Sequence, residues 1–228
     1  MNSIIIVAGG QGLRMGGNIP KQFLVLKSEP ILMHTIRAFY NWDNNFEIIL
    51  VLPSSQKSYW KNLVKQYDFD IPVKITTGGK TRFESVKNGL LKSSGDIIGI
   101  HDGVRPLVSK KTIKKCYDIS KSNGNAVPCV PIVDSLRVVK NGKNQMIDRS
   151  KYFKVQTPQV FKRSIILKGF EQDFSEEFTD DASVVEKTGE TIQLVEGNVE
   201  NIKITKPFDL KIAEVFLEEA QSSKLSKK

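Results

Sequence analysis

The chain has 228 residues, 39% of them hydrophobic and 26% charged, a balance that excludes wholesale disorder, collagen and a coiled-coil rod and can bury a core without disulfide or metal staples. No apolar run approaches the ~20 residues of a membrane span; the run at 4–8 lacks a basic flank and reads as a buried strand, not a signal peptide. The net charge of +9 suggests an anionic partner (nucleic acid, a membrane surface or a phosphorylated small molecule), and the two cysteines, Cys116 and Cys129, read as core thiols in a reducing cytoplasm.

Strand-like and helix-like segments alternate from the first residues. A β-branched run at 3–7 leads into Ala8-Gly9-Gly10. Pro30 opens a helix whose Leu32, Ile36, Phe39 and Tyr40 follow the helical period. An apolar strand at 46–52 stops at Pro53, and Ser54 or Ser55 is expected to cap a helix with Trp60, Leu63, Val64 and Tyr67 on one face. A third strand at 73–76 ends in Gly78-Gly79, and Phe83, Val86 and Leu90 mark the next helix. A fourth strand at 96–100 precedes a helix capped by Ser109 that ends near Asn123-Gly124, and a fifth runs over 126–132.

Near-continuous apolar strands alternating with amphipathic helices imply βαβ units: an α/β fold with a mainly parallel sheet flanked by helices. In such sheets ligands lie beyond the carboxyl ends of the strands. The loops 8–21, 78–82 and 101–106 are therefore expected near one another. Asn141-Gly142 then signals a β-hairpin whose polar flanks lack a core of their own, so it either extends into solvent or lies on another subunit. The chain returns to core at 152–155, Phe161 and 165–167. A helix capped near Thr179 stops at Gly189, strands are expected at 192–195 and 202–204, and Pro207 opens the last helix. The organisation is one domain over 1–228, with the hairpin arm at 134–149 and a frayed tail at 221–228.

The loop Ala8-Gly9-Gly10-Gln11-Gly12-Leu13-Arg14 through Lys21 offers glycine backbone N–H groups and two cations to a polyphosphate. It is not a Walker loop, because no Gly-Lys-Ser/Thr occurs in it. It is not a dinucleotide fingerprint either, because Met15 stands at the third glycine position. Ser85, after the glycine turn at 78–79, either contacts a nucleobase or sugar or only caps a helix with Thr81. Asp102 ends an apolar strand beside the phosphate loop. It suits a Mg²⁺ ligand or an acceptor for a substrate hydroxyl, and Arg105 suits a second phosphate, unless the two merely pair with each other. His101 reads as structural. Lys203, between Ile202 and Ile204, points either to solvent or into a site, and Thr179-Asp180-Asp181 reads as a helix cap.

The ordered set of these segments, from Ala8-Gly9-Gly10 through Arg14-Met15, Pro20-Lys21-Gln22-Phe23, Gly78-Gly79, Arg82, Ser85-Val86, His101-Asp102, Arg105-Pro106, Asp148-Arg149, Gln156-Thr157-Pro158-Gln159, Thr179-Asp180-Asp181 and Glu196-Gly197 to Asn201-Ile202-Lys203, resembles the 2-C-methyl-D-erythritol 4-phosphate cytidylyltransferase family over nearly the whole chain. The resemblance implies a Rossmann-like nucleotidyltransferase fold and a homodimer. It implies transfer of a cytidylyl group from CTP to the sugar-alcohol phosphate with release of pyrophosphate, with Mg²⁺ as cofactor. Carried over by position, Ala8, Gly9, Gly10, Gly12, Arg14, Lys21, Gly79, Ser85, Asp102 and Gly103 would bind CTP, with Arg14 and Lys21 stabilising the α-phosphate in the transition state. Asp102, Arg105, Ser135, Arg149, Thr157 and Lys203 would surround the acceptor. Arg149 and Lys203 would join Arg14 and Lys21 in catalysis, and Asp102 would help hold the metal unless the CTP phosphates alone do so. Ser135 and Arg149, carried on the arm, would serve the neighbouring subunit's site. Lys80 stands where the family often has an acidic residue, Gly103-Val104 where it often has two alanines, and Ser135 where threonine is usual.

A ribitol 5-phosphate cytidylyltransferase shares most of these motifs, but Leu136-Arg137 and Asp148-Arg149 look more like the methylerythritol enzymes. A nucleic-acid partner is not expected, because Lys and Arg are dispersed with no basic stripe interleaved with aromatics; no membrane partner is expected either.

Overall fold

The structure, a computed structural model, describes residues 1–9 and 19–225. Strand β1 (Asn2–Val7) is followed by a turn at Lys21–Phe23, the short ladder of β2 (Val25–Leu26) with β3 (Glu29–Pro30), and helix α1 (Ile31–Tyr40). Next come β4 (Glu47–Leu52), α2 (Lys57–Gln66), β5 (Lys74–Thr77), α3 (Arg82–Leu90), β6 (Ile97–Asp102), α4 (Lys110–Asn123) and β7 (Asn125–Pro131). The second half comprises β8 (Leu136–Lys140), β9 (Lys143–Ile147), β10 (Phe153–Val155), β11 (Gln159–Lys162), α5 (Arg163–Phe170), α6 (Asp181–Glu186), β12 (Leu194–Glu196) and α7 (Pro207–Leu225).

Eight strands form one sheet in the order β10-β7-β11-β6-β1-β4-β5, with β12 on β7. β6, β1, β4 and β5 are parallel, as the βαβ pattern requires, and β11 runs antiparallel between β6 and β7. Because side chains alternate across a strand, Ile4 and Ile6 of β1 enter one core with Leu32, Leu50 and Trp60, and Ile5 enters the other with Phe83, Val86 and Phe170. The chain leaves β1 toward β4 on one side and leaves β6 toward β7 on the other. Their ends, with Val7 opposite Asp102, form the switch point where an open α/β sheet leaves a crevice.

Three local expectations need correction. Neither Ser54 nor Ser55 caps α2: after Pro53 both enter a tight turn at Ser54–Gln56, whose Gln56 N–H bonds the Pro53 carbonyl, and α2 begins without a side-chain cap. The cap of α6 falls within the run Thr179-Asp180-Asp181 as expected, at Asp180, with Ser183 completing a capping box. Residues 202–204 form no strand. Ile204 N–H bonds the Val104 carbonyl and Ile202 N–H turns back to the Glu200 carbonyl, and Ile202 and Ile204 pack against α7 and Val104 instead of pairing at a sheet edge. The last helix continues to Leu225, into the segment read as a tail.

The hairpin β8–β9 pairs only with itself. Asn141 (φ 51°) and Gly142 (φ 75°) both take the left-handed conformations that a two-residue hairpin turn demands. Cys116 and Cys129 are buried and unbonded, and burial pushes the Cys116 thiol up to about 12.

Candidate active site

Two cavities meet at the tip of β6. One, of about 270 Å³, is lined by Ala8, Gly9, Lys21, Gly79, Ser85 and Asp102; the other, of about 250 Å³, by Arg105, Gln156, Thr157, Gln159, Thr179 and Asp102. Arg82 and Lys203 belong to both. The three loops expected to converge are β1, α3 and β6 connections, and the described parts of them do meet here.

Asp102 is the centre of the arrangement. Its Oδ2 lies 3.1 Å from Arg105 Nε and 3.1 Å from Lys203 Nζ, and its Oδ1 lies 3.9 Å from Arg82 Nε. Burial works to raise this carboxyl, but the charges of Lys203, Arg82 and Arg105 outweigh it and hold the group well below the ordinary carboxylate range. The Asp102–Arg105 pairing weighed from sequence exists, and it is one part of a larger cationic cage. Lys203 points into the site although its segment is not a strand.

The tip of β6 is held from behind. The Thr157 hydroxyl accepts from Asp102 N–H at 3.1 Å and lies 3.0 Å from His101 Nδ1, while His101 Nε2 lies 3.0 Å from the Arg105 carbonyl. A carbonyl can only accept, so Nε2 carries the proton and Nδ1 accepts from Thr157, a neutral imidazole satisfied on both sides. Thr157 therefore touches the cavity but spends its hydroxyl on positioning Asp102. Asn201, fully buried, donates to the Thr157 carbonyl at 2.8 Å, and its own carbonyl accepts from Arg105 Nη1 at 2.8 Å. Asn201 stands in the run that carries the family resemblance but is assigned no role there, because its role arises from contacts more than forty positions away.

Burial pushes His101 down to about 4 from 6.5. The unfolded chain then binds a proton that the folded chain refuses as pH falls from 6.5 toward 4, so stability is lost across that window, by up to ~3 kcal/mol. The low carboxyl of Glu47, at about 2 against 4.5, acts only below 4.5 and does not overlap the upper part of this window. Urea midpoints should fall between pH 7 and pH 4.5, and His101→Asn should flatten that slope. An unchanged slope in the variant would remove His101 as its source.

On the other side, Lys21 opens a turn pinned by its neighbours. Gln22 is buried and donates to the Ala8 carbonyl at 2.9 Å and to Gln56 Oε1 at 2.6 Å, and Phe23 packs on Tyr59 and Trp60. Ser85 accepts from Gly79 N–H at 3.1 Å and donates to the Thr81 carbonyl at 2.9 Å, so its hydroxyl shapes the glycine turn as well as lining the cavity. Gly103 lines neither cavity. A Cβ there would stand 2.9 Å from Ala8 Cβ, so this glycine lets two strand tips approach and the contact to CTP expected of it is not placed. Gly10, Gly12 and Arg14 lie outside the described residues.

Ser135 and Arg149 line neither cavity; both are exposed at the base of the hairpin, where Arg149 donates to the Val133 carbonyl. Sequence reading missed Arg82 as a site residue. It forms a two-pronged pair with the fully buried Asp181, at 2.8 and 2.6 Å.

A family model described as 2-C-methyl-D-erythritol 4-phosphate cytidylyltransferase matches residues 2–219. Two proteins of that name are similar to the chain: one from Phocaeicola vulgatus, 50% identical over 94% of this chain and 98% of the relative, and one from Bacteroides thetaiotaomicron, 47% identical over 94% and 99%. The solved structure of 4-diphosphocytidyl-2C-methyl-D-erythritol synthase from Anaerococcus prevotii superposes with a TM-score of 0.81 at 25% identity, covering 95% of this chain and 98% of that one.

Proposed function

Since the chain belongs to the 2-C-methyl-D-erythritol 4-phosphate cytidylyltransferase family, we propose how its residues divide the work of the family's reaction. The enzyme transfers the cytidylyl group of CTP to 2-C-methyl-D-erythritol 4-phosphate, giving 4-diphosphocytidyl-2-C-methyl-D-erythritol and pyrophosphate in non-mevalonate isoprenoid biosynthesis. A ribitol phosphate acceptor is not favoured by these relatives.

In our reading the cavity with Ala8, Gly9, Lys21, Gly79 and Ser85 takes CTP, and the cavity with Arg105, Thr157 and Lys203 takes the acceptor. The observation that carries this is Asp102 at their shared edge inside a cage of cations. A phosphate oxygen of the acceptor attacks the α-phosphorus of CTP. The bond from that phosphorus to the bridging oxygen breaks, and pyrophosphate leaves with the electron pair. The acceptor brings its own nucleophile, so the protein supplies position and charge. Lys21 faces the charge growing on the α-phosphate, a role the family resemblance gives to Arg14 as well; Arg105 and Lys203 hold the acceptor phosphate; Asp102 orients them and accepts from an acceptor hydroxyl.

A divalent cation fits this donor set. Among the described residues no group of three metal-ligating side chains occurs, and Asp102 is the carboxylate that lines both cavities, its Oδ1 3.9 Å from Arg82 Nε. That suits Mg²⁺ held mainly by polyphosphate with one protein carboxylate. Bound there, the ion would neutralise phosphate charge and orient the triphosphate.

The functional test is pyrophosphate release with CTP across a panel of sugar-alcohol phosphates. 2-C-Methyl-D-erythritol 4-phosphate should be the fastest acceptor; equal or faster turnover with ribitol 5-phosphate would overturn the acceptor assignment.

We further read the protein as a cytoplasmic homodimer. β10 is the end strand of the sheet; Phe153 and Val155 on it and Tyr152 just before it are exposed, as are Val138 and Met146 of the self-paired hairpin. An open strand edge with apolar side chains suits a second copy of the chain. The two unbonded thiols support a reducing compartment. Among the described residues no helix is long and apolar enough to cross a membrane. If the arm completes the neighbour's site, mixing Arg149→Ala with Lys21→Ala protomers should restore activity, because each hybrid dimer has one site with both defects and one with neither. With subunit exchange shown by native mass spectrometry, activity that stays at the single-mutant floor would overturn the crossed-arm reading.

A further inference from the structure

Asp181 is fully buried, and burying a carboxylate is costly unless its partner repays it. Its partner is Arg82, whose Nη1 and Nη2 grip Asp181 Oδ1 and Oδ2 at 2.8 and 2.6 Å, while Nε approaches Asp102 Oδ1 at 3.9 Å. A buried ion pair is a poor device for stability, since well-packed apolar residues often serve as well. It is a good device for geometry, because the flat guanidinium fork and a carboxylate fit in one orientation.

The two ends of the pair belong to different halves of the site. Arg82 is the first residue of α3, directly after the turn that carries Gly79 and ahead of Ser85 in the nucleotide cavity. Asp181 is the first residue of α6, directly after Thr179 and Asp180, which line the acceptor cavity. The α6 end is itself locked: Asp180 accepts from Ser183 N–H at 2.9 Å and from Gln159 Nε2 at 2.7 Å, and Gln159 Oε1 accepts from Ala182 N–H at 2.8 Å. With its fork committed to Asp181, Arg82 is held in place as a wall shared by both cavities.

We infer that Arg82 and Asp181 are positioning residues that set the spacing between the nucleotide and acceptor subsites, and so the in-line approach of the attacking oxygen to the α-phosphorus. The inference rests on the assignment of the two cavities given above. An error near 1 Å in such an approach can cost ~10²-fold in rate.

The test uses Arg82→Lys, which keeps the charge and loses the fork, and Asp181→Asn, which keeps the shape and loses the charge. Each should lower kcat per folded molecule by ~10²-fold, while affinity for an α,β-methylene analogue of CTP changes by less than ~3-fold. The double variant should be no worse than the worse single one within ~3-fold, because the two act as a unit. Phe170→Leu serves as a control for stability. Phe170 stacks on Phe83 with centroids 4.6 Å apart and touches neither cavity, so it should lower the melting temperature and leave kcat per folded molecule unchanged. Two outcomes overturn the inference: variants that melt earlier yet keep kcat within ~3-fold, which makes the pair structural only, or analogue affinity falling in parallel with kcat/KM, which makes Arg82 a nucleotide anchor. Gly9→Leu separately tests the cavity assignment, since it adds bulk beside Ser85; unchanged analogue affinity there would overturn the assignment and leave the kinetics of the pair to be judged on their own.

Discussion

Asp102→Asn should lower turnover by ~10³-fold, the upper range for losing one preorganised electrostatic contact, while the fold survives. The substitution keeps the shape and removes the charge from the middle of three cations. Each cation has a second resort: Arg82 keeps Asp181, Arg105 keeps the Asn201 carbonyl, and Lys203, whose side chain is 42% exposed, can turn to solvent. The backbone N–H of residue 102 still donates to Thr157. Thermal melting should therefore move far less than activity. The two readings of Asp102 separate here. If it only balances the charge of Arg105, activity should decline in step with stability and recover in whatever fraction remains folded. Turnover per folded molecule, measured with circular dichroism on the same sample, distinguishes them, and a value within ~10-fold of wild type would remove Asp102 from the reaction.

Lys21→Ala should cost at least ~10²-fold in kcat, with a smaller change in the KM for CTP, because the charge on the α-phosphate is greatest in the transition state. The variant is a clean one. The turn at Lys21–Phe23 is anchored by Gln22 on the Ala8 carbonyl and by Phe23 on Tyr59 and Trp60, so truncating Lys21 leaves the loop where it is. Lys21→Arg should recover part of the rate, since it restores charge with a different reach. Near-normal turnover of Lys21→Ala would exclude it from catalysis. A rise in KM with kcat unchanged would place it in ground-state binding only.

Much of this protein is legible in one dimension. The β-branched run before Ala8, the apolar period of α1 and the Ser109 cap of α4 are local signals, and local signals determine where strands and helices form. Asn141-Gly142 marks the hairpin because both residues tolerate positive φ, which is a property of two residues alone. Alternation of strand and helix likewise implies the parallel core and places Gly9, Lys21, Gly79 and Asp102 at one end of it. Where local signals compete, tertiary context decides. Ser54 is a good cap, yet Pro53 draws it into a turn; Ile202 and Ile204 look like a strand, yet burial against α7 takes them off the sheet. The site shows the same division. Asp102 and Lys203 are visible as charges among apolar neighbours, but that they pair at 3.1 Å follows only from folding. Arg82 with Asp181, and Asn201 with Thr157, are separated by 99 and 44 positions. Such pairs leave no periodic trace, because a buried polar side chain is satisfied by whatever the fold brings beside it, and that neighbour is set by sheet order and helix packing, not by spacing along the chain.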